Sequence, residues 1–439
     1  MNKKKSTGLI IAGVSLLIVS IFCVLTVVGI FRWAKNEGSQ SNIFSNDIMK
    51  ATADETLTIN SEDINELEFI LGFSDIEITE GEGSEIILNL VKTGWGASLE
   101  EAEKAADSLS LEQKKRGGKI TFSIDNDLMT GFTIGLNRTD AIDVKLTIPK
   151  DLKIKLNINS GEIIVSDLEA DLDIKSDFGN VTVEHFIGGL AIDSSNGDIN
   201  LTENSVSGDF VVTSDFGDIN ATKLSAADIT IHNRNGKTIL EDIAASGDCQ
   251  LNTDFTDIEV NKITCQNLTA ETKNGKIEFT QGDISGLFKL TTDFGDLIVK
   301  SLVAESYSFS TRNGKVFADS LQGDVKLDSD FGDIEFYGDG KVVLSVENRN
   351  GDFFYQGTLA PNADHVISSS FGSIKVLIPS ESAFDILMKS EFGEIDTDFM
   401  LTLTGDIRTN ELEGMINGGG SLLKMDSRNG DIVLKVLEE

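Results

Sequence analysis

The feature that most restricts what this chain can fold into is a turn signature that returns about every nineteen residues. It reads Ser160-Gly161, Phe178-Gly179, Asn196-Gly197, Phe216-Gly217, Asn235-Gly236, Phe255-Thr256, Asn274-Gly275, Phe294-Gly295, Asn313-Gly314, Phe331-Gly332, Asn350-Gly351, Phe371-Gly372, Phe392-Gly393 and Asn429-Gly430. Steps of 18 to 21 residues separate the anchors through Gly393; the last step is 37, two turns with one unmarked. Around each anchor the side chains alternate with period two, which is the strand pattern. Two positions after it stand Val181, Ile199, Ile219 and Ile258, and five before it Ile174, Ile192, Val212 and Leu251. Three before it runs a column of small polar residues, among them Ser176, Ser194, Ser214, Asn233 and Thr253. Each unit therefore reads as two short strands about one Gly turn, joined by a second bend.

A meander of Asn-Gly hairpins would share these features. Charge separates the two architectures. Two positions before the anchors stand Asp215, Arg234, Asp254, Lys273, Asp293, Arg312, Asp330 and Arg349; one position after them stand Asp218, Lys237, Asp257, Lys276, Asp296, Lys315 and Asp333. The sign alternates from unit to unit. That makes physical sense when equivalent residues stack ~4.8 Å apart, as in a parallel β-solenoid. Each exposed pair is worth up to about 1 kcal/mol, and a slip by one coil would set Asp against Asp. The ladder has faults, since Asp198 faces Asp218 and Asp333 faces Asp352. The expected fold is all-β: a single-chain parallel β-solenoid (β-helix) of ~19-residue coils over residues 151–439, with about fourteen to sixteen coils in all.

Upstream, residues 55–150 form a less regular β region in which Leu71 to Ile78 reads as a degenerate coil. Ser98-Leu99-Glu100-Glu101 is a capping box. It predicts a helical insertion over 98–116 that Gly117-Gly118 ends, placed to cover the edge of the first coil. Further upstream, Lys3, Lys4 and Lys5 precede an uncharged stretch from Leu9 to Phe31. At 1.5 Å per residue it spans roughly 34 Å, enough for the bilayer core and too long for a cleaved signal peptide. The expectation is a cytoplasmic tail (1–8), one transmembrane anchor (9–31), a polar linker (32–54) and an extracytoplasmic body, oriented by the lysines.

Residues 1–35 hold 5 bases and no acid, so residues 36–439 hold 32 bases against 72 acids, a net charge of −40. Nucleic acid is therefore excluded as a partner; cationic molecules, envelope components and partner proteins fit better. Three cysteines and three histidines leave little material for a disulfide framework or a metal site, and no cofactor is expected. Cys249 and Cys265 fall in an apolar and a small-residue column three positions apart, which reads as packing more readily than as a disulfide. His185, His232 and His365 are dispersed and read as structural. Asp-Phe-Gly recurs at alternate coils without a Gly-rich loop or His-Arg-Asp beside it, so it is a turn and not the kinase metal motif. Calcium-binding nonapeptides are absent, because bases interrupt the acidic columns. The longer segments 357–370 and 405–421 are where insertions would carry function.

Ile148-Pro149-Lys150-Asp151-Leu152 before Asn159-Ser160-Gly161-Glu162-Ile163, the reiterated Ser-Asp-Phe-Gly-Asp-Ile and Arg-Asn-Gly-Lys, and Leu377-Ile378-Pro379 together resemble a family. It is the β-strand-repeat family of bacterial envelope proteins catalogued as putative adhesins, a domain of unknown function. The resemblance covers roughly residues 55–439 and implies a module behind one membrane span, with a link to cell-envelope stress. It supplies no catalytic residues. The expected function is a non-catalytic, membrane-anchored binding module. The alternative is a carbohydrate-active β-helix enzyme acting on envelope or extracellular polysaccharide, which would need carboxylates paired ~5–9 Å apart.

Overall fold

The computed structural model describes residues 48–124, 140–403 and 410–438. The expected cytoplasmic tail, the 9–31 span and most of the linker lie outside the described residues. No described helix is long and apolar enough to cross a membrane.

The coil that begins at Phe210 shows how the sequence makes the fold. Phe210–Phe216 buries Phe210, Val212 and Ser214 and turns at Gly217; Ile219–Ala226 follows, burying Ile219 and Ala221. Lys223 then adopts a left-handed conformation (φ 54°), and this single residue resets the alternation so that Leu224, not Lys223, points inward. The same reset occurs at Asp167, His185, Glu203, Asp242, Lys262, Ser301 and Ser320. Each regular coil thus has three sides, not the two strands and a bend that the sequence suggested. Neighbouring coils pair in parallel and in register, Val212 with Ile231 and Ile219 with Thr238. Inward columns carry Ile, Leu, Val and Phe throughout, with an edge-on aromatic cluster at Phe279, Phe288, Tyr307 and Phe309. Burying one such ring contributes about 1.5–3 kcal/mol.

The winding is a parallel β-solenoid of about 11 turns with 3% helix. That is fewer than the fourteen to sixteen expected, because the segments at both ends join the stack out of chain order. Glu66–Phe73 lies between Lys119–Ile124 and Lys153–Ser160. At the other end Leu422–Asn429 lies between His365–Phe371 and Phe384–Ser390. These segments add layers without adding turns, and the 37-residue step reflects insertion, not an unmarked turn. Ser74 takes the place of an anchor, its carbonyl oxygen packed on Gly161, so the degenerate coil at 71–78 is a layer of the stack.

Residues 98–116 differ from expectation. Ser98 caps a helix, its hydroxyl oxygen accepting from Glu101 N at 3.2 Å, but the helix is Leu99–Ser108 only. Leu111–Arg116 is instead a strand, antiparallel to Lys119–Ile124. Gly117 (φ 62°) with Gly118 makes the hairpin turn between them; Gly-Gly signals a hairpin as readily as a helix end. The helix does not cap the first coil. It packs on Glu85–Gly96, where a Cβ on Gly94 or Gly96 would strike helix backbone at 2.2 and 2.5 Å. That strand, antiparallel to Ala141–Ile148, covers the end layer.

Candidate functional site

The Gly corner carries the densest pattern on the molecule. A Cβ on Gly217, Gly295 or Gly372 would sit 1.8–2.1 Å from the carbonyl oxygen of the glycine stacked below, so the spine admits only Gly without a shift of backbone. Gly179, Gly197, Gly236, Gly275, Gly314, Gly332 and Gly351 are packed the same way; Gly430 sits on Gly372 and Gly393 on Gly430, matching the inserted layer. Thr256 interrupts the spine. Its strand stops at Thr253, Phe255 N donates instead to Arg234 O (3.2 Å), and Thr256 Oγ1 donates to Gly236 O (2.5 Å). Behind the spine lies the small polar column. Thr292 and Thr311 hydroxyls donate to the carbonyl oxygens of Gly275 and Gly295, and Asn233 Nδ2 donates to Gly236 O at 2.7 Å.

The column two positions before the glycines is an ion ladder. Arg234 pairs with Asp215 (2.8 Å), Lys273 with Asp254 (2.7 Å), Arg312 with Asp293 (3.0 Å) and Arg349 with Asp330 (2.7 Å). Each base leans on the acid of the coil before it; Arg234 also reaches forward to Asp254 at 3.9 Å. Lys273 holds the Asp254 carboxyl below its ordinary value.

The column one position after the glycines is a different device. Asp218, Asp257 and Asp296 each accept a hydrogen bond from the backbone N–H of Lys237, Lys276 and Lys315 in the next coil, all at 2.8 Å. The ammonium groups of Lys237 and Lys276 leave the column, whereas that of Lys315 stays within it. Lys237 pairs with Glu259, and Lys276 with Glu278 and Glu259; Lys315 reaches Asp333 at 3.7 Å. The acid is there to cap a backbone donor. This explains the apparent faults, because Asp198 caps Asp218 N (2.9 Å) and Asp333 caps Asp352 N (3.1 Å) without regard to the charge above.

A second ion ladder stands on the left-handed corner, and sequence reasoning missed it. His185 lies between Asp167 (3.2 Å) and Glu203 (3.6 Å), Lys223 pairs with Glu203, and Lys262 with Asp242 (both 2.5 Å). The signal was present six positions after the anchors from Gly161 to Thr256, where acids at Asp167, Glu203 and Asp242 alternate with His185, Lys223 and Lys262, but no turn residue marks that corner.

Between the two Gly-side columns, one position before each glycine, Phe and Asn alternate up the stack. Asn196, Asn235 and Asn350 lie flat, their Nδ2 donating to the backbone of the preceding coil at 3.1–3.2 Å. The phenylalanines stand out: Phe178, Phe216, Phe255, Phe294, Phe331 and Phe371 are each 53–58% exposed, and Phe392 76%.

The segments singled out as insertions serve closure. Asp364 Oδ1 accepts from Leu422 N (2.9 Å), and Ser421 Oγ donates to Pro361 O (2.8 Å), tying 361–364 to the inserted layer. Within 405–421, Glu411–Ile416 runs antiparallel to Phe384–Ser390, and Asn417 Nδ2 donates to the Ser380 and Ser382 carbonyls. His365 is fully buried; Nε2 bonds Ala360 O (2.9 Å), Nδ1 accepts from Leu344 N (3.2 Å), and burial depresses its pKa. Cys249 and Cys265 are free and buried, and the adjoining Cys265 thiol together with burial pushes the Cys249 thiol up. A shallow polar depression of about 430 Å³ crosses the sheet face at Lys326, Ser345, Val366 and Asp426. Among the described residues no group of three or more His, Cys, Asp or Glu side chains is placed to hold a metal ion.

A parallel solenoid with a Gly spine, flanked by amide caps and ion pairs, defines a non-globular repeat scaffold with a long patterned edge. The chain belongs to the Toastrack DUF4097 family, whose model matches residues 64–290 and again 225–435. Among solved structures it is similar to a putative cell adhesion protein from Clostridium sporogenes (7% identity, 88% of this chain and 100% of that one, TM-score 0.18). It is also similar to putative adhesins from Bacteroides fragilis (11%, 88% and 97%, TM-score 0.17) and Parabacteroides distasonis (12%, 74% and 97%, TM-score 0.24). No curated protein matches the chain.

Proposed function

We propose that the protein is a non-catalytic, adhesin-like binding module, anchored by residues 9–31 with its β-solenoid outside the membrane, and that it acts in the response to cell-envelope stress. The observation that carries this reading is the state of the carboxylates on the Gly edge, which are engaged with backbone N–H groups and with bases of adjoining coils. Acids so held suit a surface that presents a fixed pattern better than one that transfers protons. The −40 charge of residues 36–439 favours cationic partners, including cationic antimicrobial peptides and divalent ions.

Protease added to intact cells should remove the solenoid while the N-terminal fragment stays in the membrane fraction. A cationic antimicrobial peptide should bind the full chain at ~20 mM salt and more weakly at ~150 mM, where screening sets in within ~8 Å. Release of the protein by high salt alone would overturn the anchor. Liberation of reducing ends from envelope polysaccharide by the purified chain would overturn the non-catalytic reading.

A further inference from the structure

The Phe/Asn stripe is more regular than solubility or folding requires, and it is unusual chemically. From Asp215 to Asp333 the layers alternate between two faces. One is Asp-Phe-Gly-Asp (Asp-Phe-Thr-Asp at 254–257), with a protruding ring between two acids; the other is Arg/Lys-Asn-Gly-Lys, with a shorter amide between two bases. Rings therefore recur every second layer, ~9.6 Å apart, and the smaller Asn between them leaves room beside each ring. Seven layers in succession follow this order, from the Phe216 layer to the Phe331 layer.

We propose that this edge is a self-complementary interface at which a second copy of the chain docks antiparallel, displaced so that each Phe layer faces an Asn layer. Three properties fit together in that register. Each ring enters the room left by an Asn, giving rings from the two copies ~4.8 Å apart along the stack, within the 4.5–7 Å at which aromatic pairs attract. Each pair of acids meets a pair of bases, although the bases already lean on acids of their own chain. A two-fold axis between two layers repeats the match on both sides, as an isologous interface requires. In the other register, ring meets ring and acid meets acid. A neutral glycan laid along the rings would use their spacing but would draw nothing from the alternation of charge.

Six layers cover ~29 Å, and a four-residue turn is ~13 Å wide, so the contact removes on the order of 800 Å² in total. That is at the small end for protein interfaces, and it fits a weak dimer that forms at high local concentration. The proposal goes beyond the binding role above and does not depend on it.

The test uses the full-length chain in mild detergent, followed by sedimentation velocity from ~1 to ~300 μM at ~150 mM salt. Reversible dimers are expected. Phe255→Asn with Phe294→Asn installs a residue that neighbouring layers already carry, so the coil keeps its fold, checked by circular dichroism, and the dimer constant should weaken at least about tenfold. Asn274→Phe is the discriminating variant. It adds apolar surface yet fills that room, so the interlocking edge predicts weaker association, whereas unspecific sticking of exposed rings predicts stronger. In cells, p-benzoylphenylalanine at position 294 should cross-link to the turn of an Asn layer. A chain that is monomeric throughout, an Asn274→Phe variant that associates more tightly, or cross-links to Phe layers would each overturn the proposal. So would a monomer that binds a β-1,4-linked gluco-oligosaccharide through the same phenylalanines.

Discussion

Replacing Gly295 with Ala tests the Gly spine directly. The new methyl would lie 1.8 Å from Gly275 O, where real Cβ contacts are never closer than 3.0 Å, so the two turns must part by more than 1 Å. Three hydrogen bonds lie across that gap: Gly275 N to Phe294 O (3.0 Å), Ile277 N to Asp296 O (2.9 Å) and Thr292 Oγ1 to Gly275 O (3.2 Å). At about 1 kcal/mol net for each, the variant should lose roughly 3 kcal/mol. Nothing lies within 4 Å of a Cβ built on Gly208, whose backbone is not left-handed, so Gly208→Ala should be neutral or stabilising by about 0.4–1 kcal/mol. Urea unfolding followed by circular dichroism measures both. A Gly295→Ala loss below about 1 kcal/mol, or equal losses for the two variants, would refute the argument from close approach. Thr256 shows what accommodation looks like, a shortened strand and an exchanged backbone partner, and a crystal structure of the variant should show the same repair.

Three further outcomes follow from the ladders and the buried histidine. Asp296→Asn should be nearly neutral, because Asn180 already caps Asp198 N at 2.9 Å, whereas Asp296→Ala should lose about 1 kcal/mol; equal effects in urea unfolding would remove the capping role. Lys276→Ala should couple to Glu259→Ala by up to about 0.5–1 kcal/mol but be additive with Asp257→Ala, since Asp257 holds only the Lys276 backbone N–H; the reverse result in double-mutant cycles would restore a simple ion ladder. His365 has its pKa depressed by burial, so the unfolded chain takes up the proton first: its contribution is complete above about pH 6.5 and is lost as pH falls from there towards the folded value. Thermal melts between pH 7.5 and 5 should therefore slope less in His365→Met than in the parent, and identical slopes would exclude His365 as the titrating group.

The winding was readable because its marks are repeated in columns. The spacing of Gly179 through Gly372 shows the period, and the signs at Asp215, Arg234 and Asp254 show that like positions stack. Other parts left weaker marks. Lys223 and Lys262 adopt left-handed conformations that nothing in their chemistry announces, so the third side and its ladder stayed hidden. The layer holding Gly430 is indistinguishable in sequence from one that follows Gly393, because local pattern records which residues make a coil and not where the coil is inserted. The charges at Asp257 and Asp296 suggested the right geometry for an incomplete reason, since a carboxylate one position past the turn is placed to reach a backbone donor as well as an ammonium group.

The interleaved end layers have a consequence for how such a chain can change in length. Glu66–Phe73 and Leu422–Asn429 are each held from both sides, so a repeat added beside either would have to part strands that are already paired. Duplication or deletion between existing coils of the interior leaves these interleaved ends intact. There the alternation of Asp-Phe-Gly-Asp with Arg/Lys-Asn-Gly-Lys imposes parity: removing a single coil brings two like layers together, whereas removing a pair leaves every neighbour with its proper complement. The unit of inheritance along this scaffold is thus a doublet of coils, and relatives of different length should differ by even numbers of them.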